Sequence, residues 1–216
     1  MYSLNLLLAL LLLISLAIAK PLTPRATLIH CTTEQQNMIE SALTQSSRMA
    51  QAGASAIRSG SSYSNTLFQT FFKSTDQATK SHVADILDQI AEEAQARGAG
   101  RVTYSCTPDG IPCSNSESFT VTAYGETDGY NGDIRTCPAY FNIPSFSNNC
   151  DALDQATSTT HEMAHTKGIF GVETYGYYAV QGLDEQSALV NAESYAFFAK
   201  AAFLNCQVSV DMGLQL

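Results

Sequence analysis

The stretch Thr159-Thr160-His161-Glu162-Met163-Ala164-His165 constrains the fold of this chain more than any other segment. On an α-helix, two histidines four residues apart lie on one face, one turn apart, so their imidazoles can converge on one metal ion. The glutamate after the first histidine can reach a water molecule beside that ion. The pattern therefore predicts a helix that carries a zinc site, with His161 and His165 as metal ligands and Glu162 as general base. A buried helix with two ordinary, hydrogen-bonded histidines is the competing interpretation.

The first 19 residues are predicted to be a signal peptide. Residues 6–18 are apolar, are too few for a comfortable membrane span, and lead into the small-x-small cleavage site Ala17-Ile18-Ala19. A membrane anchor is the alternative. Residues 20–25 are predicted to be a short pro-segment or a frayed terminus. Residues 26–216 are predicted to form a single zinc metallopeptidase domain. The product would be secreted and extracellular, with no membrane association once the signal is removed.

The charge balance is acidic, with 11 Lys+Arg against 20 Asp+Glu and a net charge of −9. Such a surface repels nucleic acids and anionic membranes and favours cationic partners. We therefore expect no nucleic-acid partner, and protein or peptide substrates biased towards basic ones. We expect the protein to be a monomer.

Six cysteines follow the predicted signal peptide, an even number that in an oxidising compartment indicates three disulfides. A zinc–thiolate site is the alternative, but the chain contains no C-x-x-C pair. Six cysteines allow 15 pairings, and their spacing does not choose among them.

Helical signals dominate both ends of the domain. A capping box after Thr32 or Thr33 predicts a helix towards Ile57, which the segment 59–62 breaks. A second helix is predicted after Ser74 or Thr75, ending at two glycines, Gly98 and Gly100. Three phenylalanines between these helices are interpreted as core: Phe68, Phe71 and Phe72.

Between residues 101 and 150 the composition becomes typical of strands and turns. Strands are predicted at 101–105 and 118–124, a turn at 131–133, and an edge strand at 136–141. The histidine helix is predicted to start at Asp154 or within 157–159 and to end at Gly168. A last helix is predicted from a cap at Asp184 to about residue 203. The fold class is thus α+β: a mainly helical single domain with a small twisted antiparallel sheet and an HExxH helix.

A zinc hydrolase needs a third protein ligand. The metzincin extension fails, because its next histidine would fall on Gly171. Two glutamates downstream remain. Glu185 lies in the first turn of the predicted last helix, where an acid is expected for its interaction with the helix dipole alone. Glu193 lies in the middle of that helix among small residues, where a carboxylate needs a partner such as a metal. A surface or salt-bridged glutamate is the alternative for Glu193.

At this point the chain resembles the deuterolysins, fungal secreted neutral proteases of the aspzincin group of zinc metalloendopeptidases. The resemblance covers residues 26–206, including the order and approximate spacing of the six cysteines. It is carried by residues 73–79, by 154–165 with Gly168, by Tyr175-Gly176-Tyr177 and by Asn191-Ala192-Glu193-Ser194-Tyr195.

The resemblance implies a zinc metalloendopeptidase that binds one Zn²⁺ per chain and cuts basic proteins. It implies that His161, His165 and Glu193 hold the zinc, since Glu193 matches an aspartate ligand in the family's Asn-Ala-Asp-[Ser/Thr]-Tyr. Glu162 would take a proton from water at the zinc and return it to the leaving amine. Tyr175 would hydrogen-bond the oxyanion, an ordinary packed tyrosine being the alternative. The implied disulfides are Cys31–Cys106, Cys113–Cys137 and Cys150–Cys206.

Two departures from the family pattern support an alternative function. The third ligand is a glutamate where the family has an aspartate. The family's Gly-Thr-x-x-Asp segment is shortened to Gly171-Val172-Glu173-Thr174, in which Glu173 is the one acid that could substitute. The chain could thus be a secreted zinc-binding relative, catalytically weak or inactive, that acts as a binding or antigenic protein. The intact Glu162 favours the enzyme.

Overall fold

The computed structural model describes residues 27–96, 100–113 and 121–207. The predicted signal peptide and the segment 20–25 lie outside the described residues. Within these ranges no helix has both the length and the apolar composition needed to cross a bilayer. The described strands and α-helices, in chain order, are β1 (Leu28–Ile29), α1 (Thr33–Ser59), α2 (Ser62–Phe72), α3 (Gln77–Gln95), β2 (Val102–Ser105), β3 (Ala123–Thr127), β4 (Gly132–Thr136), α4 (Gln155–Thr166), α5 (Tyr177–Val180), α6 (Glu185–Leu189) and α7 (Ala192–Leu204).

The first long helix begins and ends where its capping residues predict. The Thr32 hydroxyl accepts the Gln35 backbone N–H, and the Gln35 side chain accepts that of Thr32, which completes the capping box. Gly60 ends α1 in the left-handed conformation, with φ 60°. The α1 prediction is therefore confirmed.

The start of α3 differs from the prediction. Its N-cap is Asp76, whose carboxylate accepts the Thr79 N–H. The predicted cap Ser74 instead accepts the backbone N–H of Asp76 itself, so it shapes the turn before the helix. A carboxylate at the N-cap also interacts favourably with the helix dipole. The helix ends at Gln95; Gly98, predicted to stop it, lies outside the described residues.

The sheet has four described strands in the order β1-β2-β4-β3. The strands β3 and β4 pair antiparallel, as predicted, but β1 with β2 and β2 with β4 are parallel pairs. The sheet is therefore mixed, and the expectation of an antiparallel sheet holds only for the β3–β4 hairpin. A parallel neighbour is joined through a long connection, here α1 to α3 between β1 and β2, so local turn signals do not reveal it.

The turn predicted at 131–133 lies three residues earlier in the structure. The chain turns over residues 128–131, where the Asp128 carboxylate accepts the N–H groups of Tyr130 and Asn131, and β4 begins at once with Gly132. The predicted edge strand 136–141 is wrong. Pro138 starts a 3₁₀-helix, Pro138–Asn142, since proline fits the first position of a helix. The edge strands of the described sheet are β1 and β3. Residues 118–120 of the predicted strand 118–124, which overlaps β3, lie outside the described residues.

The helix that carries the histidines lies between two layers. One side of α4 contacts β3 and β4, and the other side contacts α1 and α7. The helices α1 and α3 pack against each other beside α4. The predicted phenylalanine core is confirmed: Phe68, Phe71 and Phe72 are buried, and their ring centroids lie 5.4–6.0 Å from that of Phe198 on α7.

The predicted last helix is two helices. The first, α6, ends at Leu189, and α7 begins at Ala192 after a break at Val190 and Asn191. Glu193 therefore lies in the first turn of α7 and not in the middle of a long helix.

All six cysteines are paired, as the family resemblance implies: Cys31–Cys106, Cys113–Cys137 and Cys150–Cys206. The first joins the end of β1 to the end of β2. The third joins the segment before α4 to the second residue after α7, and so links the two helices that position the site.

Candidate metal centre and active site

The helix α4 is anchored at its N-terminus by a buried aspartate. Of the predicted caps, the structure selects Asp154, whose Oδ1 accepts the N–H and hydroxyl of Thr157. Its Oδ2 accepts the Ser147 N–H and the ammonium of Lys200 on α7. Nearly every side chain of α4 is buried, so the helix is held on all sides.

The two histidines of α4 converge as the sequence predicts. Their Nε2 atoms lie 3.1 Å apart, and the ring centroids are 4.8 Å apart at an interplanar angle of 81°. Two nitrogens bound to one tetrahedral zinc at 2.0–2.1 Å lie about 3.3 Å apart. The spacing of His161 and His165 therefore matches a shared metal ion.

Hydrogen bonds at the other ring nitrogens fix the tautomers. His165 Nδ1 lies 2.7 Å from the Ile169 carbonyl oxygen, which can only accept, so this nitrogen carries the proton. His161 Nδ1 lies 2.8 Å from Glu193 Oε2, and the carboxylate accepts its proton in the same way. Both Nε2 atoms then direct lone pairs at each other across 3.1 Å. That contact needs a cation between the rings, either a proton or a metal ion.

Glu173 offers a third candidate ligand atom. Its carboxylate and the two histidines offer one ligand atom each, and these three atoms lie within 4.8 Å of one another. Glu173 Oε1 accepts the Ala192 N–H at 3.3 Å, whereas the buried Oε2 has no hydrogen-bond partner. A buried carboxylate oxygen without a donor is costly unless a cation faces it. Two imidazoles and a carboxylate are a donor set that suits zinc, so the residues present fit this metal.

Glu193, the predicted third ligand, lies in the site but contacts Nδ1 of His161. The predicted metal position is at the Nε2 atoms. Glu193 Oε2 contacts the Nδ1 of His161, on the side of the ring away from the Nε2 atoms, and its Oε1 accepts the Gly176 N–H at 3.1 Å. Both carboxylate oxygens are thus engaged by N–H donors. Glu185 is remote from this contact: it is exposed at the start of α6, where it accepts the Thr79 hydroxyl.

Glu162 is buried beside the histidines, with 5% of its surface exposed. Burial raises the pKa of its carboxyl to about 7, against the opposing effects of His161 and of a hydrogen bond from the Gly125 backbone. The strand β3 approaches α4 closely here: a Cβ on Gly125 would lie 2.3 Å from the Glu162 carbonyl oxygen. A carboxyl with a pKa near neutrality suits a group that accepts and returns a proton.

The charges around the two imidazoles act in opposite directions. Burial lowers the pKa of His161, but the carboxylates of Glu162, Glu193 and Glu173 outweigh it and raise the pKa to about 9. Burial lowers the pKa of His165 to about 4, and the charge on His161 adds to the effect. In the absence of a metal, one proton is therefore held between the rings, on His161.

Aromatic side chains flank both histidines at the mouth of the site. Tyr175 stacks on His161, with centroids 5.8 Å apart, and Phe170 stacks on His165 at 5.2 Å. Each is 51% exposed. Burial, reinforced by nearby carboxylates, raises the pKa of Tyr175 to about 12, so its hydroxyl keeps its proton and can donate it in a hydrogen bond. The site opens into a cavity of about 590 Å³, which is lined in part by β3, Leu153 and Asp151.

Three contributors to this geometry escape sequence reasoning. The Ile169 carbonyl and the close approach of Gly125 are backbone features with no motif. Asn191 lies in the segment Asn191-Ala192-Glu193-Ser194-Tyr195, whose pattern assigns it no role. Its amide binds the backbone of Thr174 through both its oxygen and its nitrogen. A buried asparagine just before a helix start was the signal available.

The sequence of this chain is similar to those of known metalloproteases. The model of the deuterolysin metalloprotease (M35) family matches residues 13–208. A neutral protease 2 homologue from Aspergillus fumigatus is 37% identical over 194 residues, which are 87% of this chain and 41% of that protein. Penicillolysin from Penicillium citrinum is 34% identical over 193 residues, which are 87% of this chain and 52% of that protein. The chain thus spans about half the length of these two relatives.

A zinc peptidase from Grifola frondosa has a similar structure. The TM-score is 0.61 at 18% identity, and the match covers 79% of this chain and 97% of the other. At this identity the likeness shows a shared fold.

Proposed function

Because the chain belongs to the deuterolysin (M35) family of metalloproteases, we propose that it is a zinc-dependent metalloendopeptidase. The observation that carries the proposal is that the Nε2 atoms of His161 and His165 lie 3.1 Å apart, with a Glu173 carboxylate oxygen within 4.8 Å of the histidine ligand atoms, beside the buried Glu162. This arrangement offers three ligands and leaves room for a fourth, as a catalytic zinc site does.

We assign the ligands to His161, His165 and Glu173, with one zinc per chain. The sequence-based assignment of Glu193 is the competing one, and the variants described below separate the two. When bound, zinc would lower the pKa of a water molecule and polarise a peptide carbonyl. Glu162 takes a proton from that water, and the same carboxyl then delivers it to the leaving amine. Burial of Glu162 favours this exchange, because it brings the carboxyl pKa to about 7.

Tyr175 is assigned the role of hydrogen-bond donor to the oxyanion. Its ring lies over His161 and its hydroxyl stays protonated at neutral pH, which a donor requires. Its half-exposed position at the mouth of the site leaves it accessible to a bound peptide.

The substrate is a protein or peptide, and we propose a bias towards basic ones. An extended peptide can lie along the edge strand β3, which lines the cavity. The acidic side chain of Asp151 also lines this cavity, and the chain carries a net charge of −9. These charges favour cationic segments. Three disulfides further support secretion, and we propose an extracellular monomer.

The experiment is cleavage of casein and histone by the purified chain, with chelator and with restored zinc. Glu162→Gln is expected to bind zinc with the stoichiometry of the wild type and to lose hydrolysis, because the amide keeps the shape but cannot take a proton. Tyr175→Phe is expected to lower kcat on the order of 10²-fold, as does loss of one oxyanion donor.

Unchanged turnover in Glu162→Gln would contradict the mechanism. A wild-type chain that binds zinc but cleaves neither substrate would favour the second candidate, a zinc-binding relative that acts as a binding protein.

A further inference from the structure

The N-terminus of α7 holds the loop that carries Glu173. Three successive residues of the helix start, 191–193, each hydrogen-bond to the loop 173–176. Asn191 Oδ1 accepts the Thr174 N–H at 3.1 Å, and its Nδ2 donates to the Thr174 carbonyl at 3.2 Å. The Ala192 N–H donates to Glu173 Oε1. We call this set of contacts the helix-start clamp.

Glu193 extends the clamp to the histidine helix. One of its oxygens accepts the Gly176 N–H from the loop, and the other accepts the Nδ1–H of His161 on α4. Its side chain is 7% exposed, and that of His161 is also 7% exposed. The buried carboxylate of Glu193 thus fixes both the ring of His161 and the loop that carries Glu173.

The loop is not held by regular secondary structure. Between α4 and the short helix α5, the described chain forms bends and irregular backbone, and Val172 is 90% exposed. Asn191 is fully buried, and its amide also donates to Ser194. Its Oδ1 caps no backbone N–H of its own helix and accepts the Thr174 N–H of the loop instead.

We propose that Asn191 and Glu193 are positioning residues that set metal affinity and turnover through the helix-start clamp, without touching metal or substrate. This inference rests on the proposed zinc site but not on the chain being an active peptidase. Partners that orient metal-ligating side chains raise the ligand's basicity, and their loss costs 10- to 100-fold in metal affinity or activity.

Glu193→Gln is the first test. Both contacts of Glu193 are N–H donors, so both need an acceptor, and a glutamine side chain offers one oxygen and one NH₂ group. We expect the chain to keep one bound zinc, with affinity reduced about 10- to 100-fold. With Co²⁺ in place of zinc, the intensity and position of the visible absorption band should stay those of the wild type, because the ligands are unchanged.

Glu173→Gln is the comparison variant, since it removes the assigned ligand. Here we expect loss of stoichiometric binding, or a changed Co²⁺ band. Glu185→Gln is the matched control, a surface glutamate that should change neither affinity nor spectrum. Asn191→Asp tests the other half of the clamp: the carboxylate can still accept from Thr174 but cannot donate, and a loss of metal affinity with an unchanged Co²⁺ band is expected. Circular dichroism of each metal-free variant shows whether it is folded.

Two results would overturn the proposal. In the first, Glu193→Gln and Asn191→Asp both bind zinc with wild-type affinity, and the clamp is then without effect. In the second, Glu193→Gln loses the metal or alters the Co²⁺ band while Glu173→Gln does neither, and Glu193 is then the ligand. If the wild-type chain binds zinc but cleaves no substrate, the peptidase assignment fails while these metal measurements still decide the clamp. In an active chain, the clamp variants should lower kcat with little change in KM.

Discussion

At His161, two opposing influences act on one imidazole. Burial disfavours its positive charge, and three carboxylates around it favour that charge, with the result that its pKa rises to about 9. The same proton satisfies the lone pair of His165 Nε2, 3.1 Å away. A metal ion and this proton therefore compete for one position, and metal binding must be linked to pH.

The linkage has a definite sign. Because the pKa of His161 is raised above its ordinary value, the metal-free site is protonated at pH 7, and zinc must displace that proton. Apparent zinc affinity should then rise between pH 6 and about 9 and level off above, with net proton release at pH 7. His165, with a pKa of about 4, is already neutral in this range and adds nothing. Calorimetric titration in two buffers of different ionisation enthalpy measures the protons released. An affinity that is constant between pH 6 and 9 would contradict the assignment.

At the scale of secondary structure, the position of Glu162 depends on how closely β3 approaches α4. Gly125 permits this approach, because any side chain there would meet the backbone of the helix at 2.3 Å. The neighbour is backbone and cannot rotate away. The strand β3 and the helix that carries the proposed general base are thus held in direct contact.

Gly125→Ala should therefore push the strand and α4 apart. We expect a loss of about 1–3 kcal/mol in the free energy of unfolding, as for other overpacked sites. The rate of peptide hydrolysis should fall on the order of 10²-fold, since a displacement of about 1 Å at a catalytic group can have that effect. Urea denaturation and peptide hydrolysis measure the two effects. Gly182→Ala is the control: this glycine is exposed, and a Cβ there meets nothing closer than 3.3 Å. Equal effects at both positions would refute the close-approach argument.

The elements that the sequence predicts well are those decided by local chemistry. The start of α1 follows from Thr32 and its capping box, and the helix of the histidines from spacing and from Asp154. What escapes prediction is decided by distant partners. The predicted last helix is interrupted before α7, where Asn191 binds Thr174, 17 residues earlier in the chain. For the same reason the sequence does not predict that Glu193 contacts Nδ1 of His161, because that contact depends on where the loop 173–176 lies.

At the scale of the whole molecule, α4 and α7 are joined at both ends. At one end, the hydrogen bond between Glu193 and His161 connects the start of α7 to the later part of α4. At the opposite end, Lys200 of α7 donates to Asp154 at the start of α4, and both side chains are fully buried. The Cys150–Cys206 disulfide closes the same end covalently. We therefore expect the pair of helices that frames the metal site to behave as one unit.

Removal of one member of the buried pair tests this unit. Lys200→Met should reduce the free energy of unfolding by about 3–5 kcal/mol, because it leaves the Asp154 carboxylate buried without its counter-ion. Arg58→Met is the matched control: Arg58 pairs with Asp88 on the surface, where its side chain is 51% exposed, and an exposed pair contributes about 0–1 kcal/mol. Denaturant unfolding of the zinc-loaded, oxidised proteins measures both. A cost for Lys200→Met as small as that for Arg58→Met would show that the buried pair is not a joint between the helices.

During synthesis, the HExxH motif is made before the later residues that complete its site. The ribosome completes His161, Glu162 and His165 before it reaches Glu173 or Asn191, and Glu193 follows His165 by 28 residues. At about 5–20 residues per second, that interval lasts a few seconds. During it, the nascent chain holds the histidines and the general base, but not the residues that orient them. On the roles proposed here, a newborn chain cannot cut itself or its neighbours until its last described helix has folded onto the rest.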